Sequence, residues 1–138
     1  MLIAFGDISW LAVIVAFVPY FMLGGLWFTV FFKKQYFESL GKSWLDQEKP
    51  SALFIVGPAV CTFIITIACA MLMAMINIQT YYELVVFTLV VGLGFLVSNT
   101  VNIAINPNIP HPMYYGAISG SYHLVGLLIA TSILYLMG

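Results

Sequence analysis

The chain has 138 residues, of which 63% are hydrophobic and only 7% charged, with a mean hydropathy of +1.08. A soluble domain carries about 25% charged residues, so a chain this short and this apolar lacks the polar surface to sit in water. Its net charge of −1, with no basic patch beyond one loop and no Gly-rich phosphate motif of the P-loop or Rossmann type, leaves no basis for a nucleic-acid partner.

A helix needs about 20 apolar residues to cross the bilayer core. Four stretches reach that length, at about residues 8–32, 52–76, 83–105 and 113–137. No charged side chain lies well inside any of them, and Asp7 and Glu83 sit at ends. The first stretch lacks a positive start and is too long for the h-region of a signal peptide, so it is read as a span. The expected fold is all-α: a four-transmembrane-helix bundle forming one integral membrane domain over residues 1–138, with a short amphipathic interfacial segment between helices one and two.

In the first span Pro19 removes a backbone hydrogen bond and is expected to kink the helix. Gly24, Gly25 and Trp27 follow it. Loop 1 then holds all four lysines, Lys33, Lys34, Lys42 and Lys49, and the chain has no arginine. Short loops rich in lysine stay cytoplasmic, so loop 33–49 is expected inside and both termini outside. Tyr36, Phe37, Leu40 and Trp44 recur at helical spacing in this loop, which suits a short helix lying in the headgroups; Gly41 interrupts it. Ser51 is the expected N-cap of the second span.

The second span carries Pro58, a second expected kink, with Gly57, Cys61 and Thr62 around it. Cys61 and Cys69 lie about 12 Å apart along one helix at 1.5 Å per residue. They cannot pair and read as small packing residues. Thr80-Tyr-Tyr-Glu83 has capping-box spacing at the start of the third span, which accounts for Glu83 without a functional role.

In the third span Asn99, Asn102 and Asn106 fall at i, i+3 and i+7, on one helical face, with Ser98 beside them. An amide facing lipid leaves hydrogen-bonding groups unsatisfied, so this face is expected to turn inward. Three prolines stiffen loop 3, 106–112, and forbid a helix there. The fourth span sets Gly116, Ser119, Gly120, His123 and Leu127 on one stripe. Gly116 and Gly120 form a G-x-x-x-G pair that lets another backbone approach closely. His123 lies about 15 Å from the loop-3 end of its helix at 1.5 Å per residue, near the middle of a core roughly 30 Å thick.

The pocket candidates are Trp27, Asn99, Asn102, Ser119, Tyr122 and His123; Gly24, Gly25, Gly116 and Gly120 are helix-packing positions. The structural alternative for His123 is an interhelical hydrogen bond to Asn99 or Asn102. No catalytic residue, metal site or cofactor is expected. Two histidines 12 residues apart, one of them in a loop, do not give a bis-histidine haem. No carboxylate at depth completes a zinc set or a Ser–His–Asp arrangement. These residues point to a non-enzymatic accessory or binding component with a cytoplasm-facing polar pocket. The competing reading is a small oligomeric transporter or channel lined by Asn99, Asn102 and His123. Expected partners are membrane lipid and either further copies of the chain or a larger membrane complex.

Gly25-Leu-Trp-Phe28 is similar to Gly92-Leu-Gly-Phe95, 67 residues on, a hint of two related two-helix halves as in some small transporters. These two runs, in the first case extended to Leu23-Gly-Gly-Leu-Trp-Phe28, together with Ile118-Ser-Gly-Ser-Tyr-His-Leu-Val125, resemble the bacterial membrane proteins filed as domain of unknown function 1761. Their pattern is a small-residue–Trp–aromatic motif in helix one and Gly-Tyr-His-Leu-Val in the last helix; here Ser121 separates Gly120 from Tyr122. The resemblance runs from about Ala12 to Leu134. It implies four transmembrane helices in a bacterial inner membrane and singles out Trp27, Tyr122 and His123. It implies no activity.

Overall fold

The computed structural model describes residues 5–45, 49 and 51–138; among these every regular element is a helix. Four helices are long and apolar enough to cross a membrane: α1 (Trp10–Phe31), α3 (Leu53–Ile76), α4 (Tyr81–Ala104) and α5 (Pro112–Met137). A short α2 (Lys33–Ser39) joins the first two. The spans match the apolar stretches to within two residues at each end, because length and hydropathy decide them.

The ends follow local chemistry. Ser9 caps α1 by accepting from the Ala12 amide. At α4 the expected capping box is complete: the Thr80 hydroxyl accepts from the Glu83 amide at 3.2 Å, and the Glu83 carboxylate accepts from the Thr80 amide at 3.0 Å. The α3 start departs from expectation. Its N-cap is Ala52, with no side-chain cap. Ser51 contributes its carbonyl to the Phe54 amide instead, because the first turn is wound tightly from that carbonyl. Pro50 lies outside the described residues. Asn77, at φ 54°, closes α3 in the left-handed conformation, a role asparagine fills with little strain.

Gly41 ends α2 rather than merely weakening it. At φ +68° it lets the Lys42 amide reach the Phe37 carbonyl at 2.9 Å and its own amide reach the Glu38 carbonyl at 3.0 Å, the bond pair of a Schellman cap. A Cβ at Gly41 would come within 2.9 Å of Pro110 Cγ, so the end of α2 sits against loop 3.

Pro19 and Pro58 lie inside helices. The α pattern gives way to π-turns over Trp27–Phe31 in α1 and Gly92–Val97 in α4. The second takes in the whole Gly92–Phe95 run, and the first begins within the Gly25–Phe28 run, at Trp27. A π-turn adds a residue to the helical turn, and the Phe32 amide accordingly reaches back five residues to the Trp27 carbonyl at 2.8 Å.

The bundle is open. Half of the most apolar stretch of α5 is buried, against about a fifth for each other span. α5 is therefore central: α1 lies along one side of it, α4 along another, and α3 packs mainly on α1. α4 makes no extensive contact with α1 or α3.

Candidate functional site

Glycines on α5 bring its neighbours close. A Cβ at Gly120 would come within 3.1 Å of Val97 Cγ1, and one at Gly116 within 2.8 Å of Val101 Cγ2. These set the contact with α4. Gly126 does the same toward α1, where a Cβ would fall 2.3 Å from Tyr20 Cδ2. On α1, a Cβ at Gly24 would lie 2.8 Å from the Tyr122 hydroxyl, whereas Gly25 faces open space. Of the four glycines singled out in the sequence, Gly25 alone has no neighbour to accommodate.

His123 does not meet an asparagine. Its Nδ1 lies 3.1 Å from the Tyr20 hydroxyl, and Tyr20 is completely buried. Successive residues of a helix turn by about 100°. That sets His123 between Gly126, which meets α1, and Gly120, which meets α4. Tyr20 is about 15 Å from the start of α1 at 1.5 Å per residue, so the pair sits near mid-membrane. The sequence reading passed over Tyr20. The signal was available: a tyrosine in the middle of a span needs a partner for its hydroxyl.

Around the pair is a layer of rings. Tyr122 lies with its ring centroid 5.6 Å from that of Tyr20, 5.4 Å from Phe28 and 6.5 Å from Trp27. The Trp27 indole N–H donates to the Ile118 carbonyl at 3.0 Å, which ties the π-turn of α1 to α5. Tyr36 of α2 stacks edge-on against Phe28 at 4.9 Å and lies 5.9 Å from Tyr115. Burial, reinforced by Tyr115, pushes its phenol above the usual tyrosine range, so it stays neutral. The amphipathic helix thus covers the ring layer with an aromatic face. The Ser119 hydroxyl is buried nearby and has no hydrogen-bond partner among the described residues. Deeper toward loop 2, Thr88 and Thr131 share a bond of 2.7 Å that joins α4 to α5.

Trp27, Ser119, Tyr122 and His123 therefore belong to one region, filled by rings rather than hollow. Asn99 and Asn102 do not join it. Both are exposed, and they sit on the side of α4 away from Val97 and Val101, which face α5. The expected inward turn fails because the small-residue stripe of α5 receives valines, and the π-turn precedes the asparagines. Asn106 is a cap: its amide donates to the Ile103 carbonyl at 2.7 Å, and its oxygen accepts from the Asn108 amide at 2.7 Å. Gly94, Phe95, Leu96, Ser98, Asn99 and Asn102 instead line an outward groove of about 510 Å³. A second cavity, about 550 Å³, lies at the loop-2 end among Asp7, Ser9, Asn77, Gln79 and Tyr135.

No curated protein and no solved structure matches the chain. The family model described as protein of unknown function (DUF1761) matches residues 11–135. That match takes in the second and third spans, all but the outermost residues of the first and last, and both motifs that form the Trp27–Tyr122–His123 region, and the chain belongs to this family.

Proposed function

We propose that this protein is a non-enzymatic accessory component of a bacterial inner membrane, working through helix–helix association within the bilayer. The observation that carries this reading is the division of its polar side chains. Tyr20, His123, Trp27, Thr88 and Thr131 use their hydrogen bonds to hold α5 to α1 and α4. Asn99 and Asn102 bond to nothing among the described residues and stand exposed on α4. Hydrocarbon offers no water to such groups, so an amide-bearing face favours another helix over lipid tails. A cytoplasm-facing binding pocket has less support, since rings occupy the space around Tyr122. A path lined by Asn99, Asn102 and His123 together has less still, because the asparagines stand on the far side of α4 from α5.

A photoreactive residue at Phe95 or Asn99 is expected to give discrete adducts in native membranes. The same probe at Ile64, exposed on α3, is the control. No adduct from either α4 position beyond the control overturns the reading.

The four lysines support loop 33–49 on the cytoplasmic side, with both termini across the membrane. A reporter fused to the C-terminus is expected to be active only outside the cytoplasm. Activity inside reverses the orientation.

A further inference from the structure

We infer that the cavity at the loop-2 end of the bundle binds a primary ammonium group carried on a short apolar chain. The cavity lies among α1, α3 and α5, away from the groove on α4, so this site stands apart from the association reading above.

Small side chains leave the space. Ala12 of α1 and Ala70 and Ala74 of α3 line the cavity, together with Met73 and Leu134. Ala12, Met73 and Leu134 are buried and form an apolar floor. Ala70 lies six residues before the end of α3, about 9 Å below it at 1.5 Å per residue. The volume of about 550 Å³ is within the roughly 300–1,000 Å³ range of small-molecule sites. Asp7, Ser9, Asn77 and Gln79 are exposed and form a polar rim.

The bonding at the rim selects the ligand. The Tyr135 hydroxyl donates to the Gln79 carbonyl at 3.1 Å, and the Gln79 side-chain amide donates to Asn77 Oδ1 at 2.8 Å. The Asn77 and Ile78 amides close the end of α3 on the Ala74 and Met73 carbonyls. These donors are used within the chain, which leaves the rim rich in acceptors: the Gln79 side-chain oxygen, the Asp7 carboxylate and the negative end of the α3 dipole. Every lysine lies in loop 33–49, at the other end of the first span, and the chain has no arginine. The loop-2 end therefore carries Asp7 and Glu83 and no basic side chain among the described residues, a field that favours a cation and repels an anion.

A divalent metal takes six or more oxygen ligands, several of them carboxylates. Asp7 is the one acid on this rim, and no three His, Cys, Asp or Glu come together among the described residues. A neutral apolar molecule suits the floor but strips water from the rim acceptors and leaves them unpaired. A primary ammonium brings three donors to the rim, and its chain covers the floor. An ethanolamine phospholipid has the same ammonium, but its phosphate sits where the floor is apolar, so the chemistry favours an alkylamine.

The test uses the full chain in phosphatidylcholine nanodiscs, with methyl-labelled methionine. Hexylammonium is expected to move the Met73 methyl resonance saturably. Hexyltrimethylammonium keeps the charge without N–H donors, and hexanol keeps the chain without the charge. Each should need about tenfold more to half-saturate, the factor that loss of one charged hydrogen bond gives. Asp7→Asn, an exposed change, should weaken hexylammonium by about the same factor. Ala74→Leu should fill the hollow and abolish the saturable shift while helical signal is kept. A shift that rises without saturation, equal response to hexanol, or an unchanged affinity in Asp7→Asn overturns the inference. Replacing half of the lipid with phosphatidylethanolamine should leave the affinity for hexylammonium unchanged. Displacement by that lipid would give the site to a headgroup and overturn the assignment to an alkylamine.

Discussion

Gly126→Leu is expected to leave no folded bundle in mild detergent, and Gly126→Ala to lower stability measurably. The reason is local. A single Cβ at this position would lie 2.3 Å from Tyr20 Cδ2 and 2.4 Å from Cε2. Those atoms are the body of a ring, not the tip of a flexible chain. The ring is completely buried, its hydroxyl is tied to His123, and Tyr122 lies against it. Overpacking a tight site by one carbon costs about 1–3 kcal/mol, and leucine adds three more carbons. The measurement is an unfolding curve in mixed SDS micelles. Tyr20→Leu combined with Gly126→Ala should recover part of the loss, because sites in contact are coupled. A Gly126→Ala curve that overlays the wild type would show that the close approach is not needed. Gly94→Leu, with the same change in volume on the open face, should be silent in this assay.

The second large effect belongs to the partner in that contact. Tyr20→Ala removes a fully buried ring from between α1 and α5, and losses of this kind cost about 3–5 kcal/mol. Tyr20→Phe separates packing from hydrogen bonding. It keeps the ring and leaves His123 Nδ1 without its partner. Interhelical bonds in membranes average about 0.6 kcal/mol, so Tyr20→Phe should fall far short of Tyr20→Ala. A double-mutant cycle of Tyr20→Phe with His123→Ala should give a coupling of that small size. Zero coupling would mean that the 3.1 Å contact contributes only position, and that the histidine is held by its surroundings.

Much of the architecture was legible because hydrophobic length is a one-dimensional property. Span ends, the Thr80–Glu83 capping box and the amphipathic stretch at Tyr36 and Phe37 depend only on residues near in sequence. The candidate region was half legible. Gly24, Trp27, Ser119, Tyr122 and His123 could be placed at similar depth from rise per residue alone. Which way a polar face turns is a different question. Asn99 and Asn102 were expected inside because lipid penalises an amide, and that penalty is real. It does not decide which side of α4 meets α5, where the glycines of α5 receive Val97 and Val101. The π-turn over Gly92–Val97 also shifts the angular position of everything after it, which a fixed 100° step cannot anticipate. Tyr20 was missed for a simpler cause: one tyrosine amid apolar residues looks like packing until its hydroxyl finds His123.

The central place of α5 bears on how the bundle comes together during synthesis. α5 follows the other spans in the chain, yet α4 makes its extensive contacts with α5 and not with α1 or α3. While the ribosome has delivered only the first three spans, α1 and α3 have each other, and α4 has no docking site. Its Thr88 hydroxyl keeps only the Leu84 carbonyl of its own helix, and Gly92 lacks the Leu124 and Leu127 side chains that cover it in the full bundle. α5 supplies both the surface that α4 packs against and the Gly126 backbone that lies against Tyr20. On these contacts, docking of α4 within the chain waits for the last span.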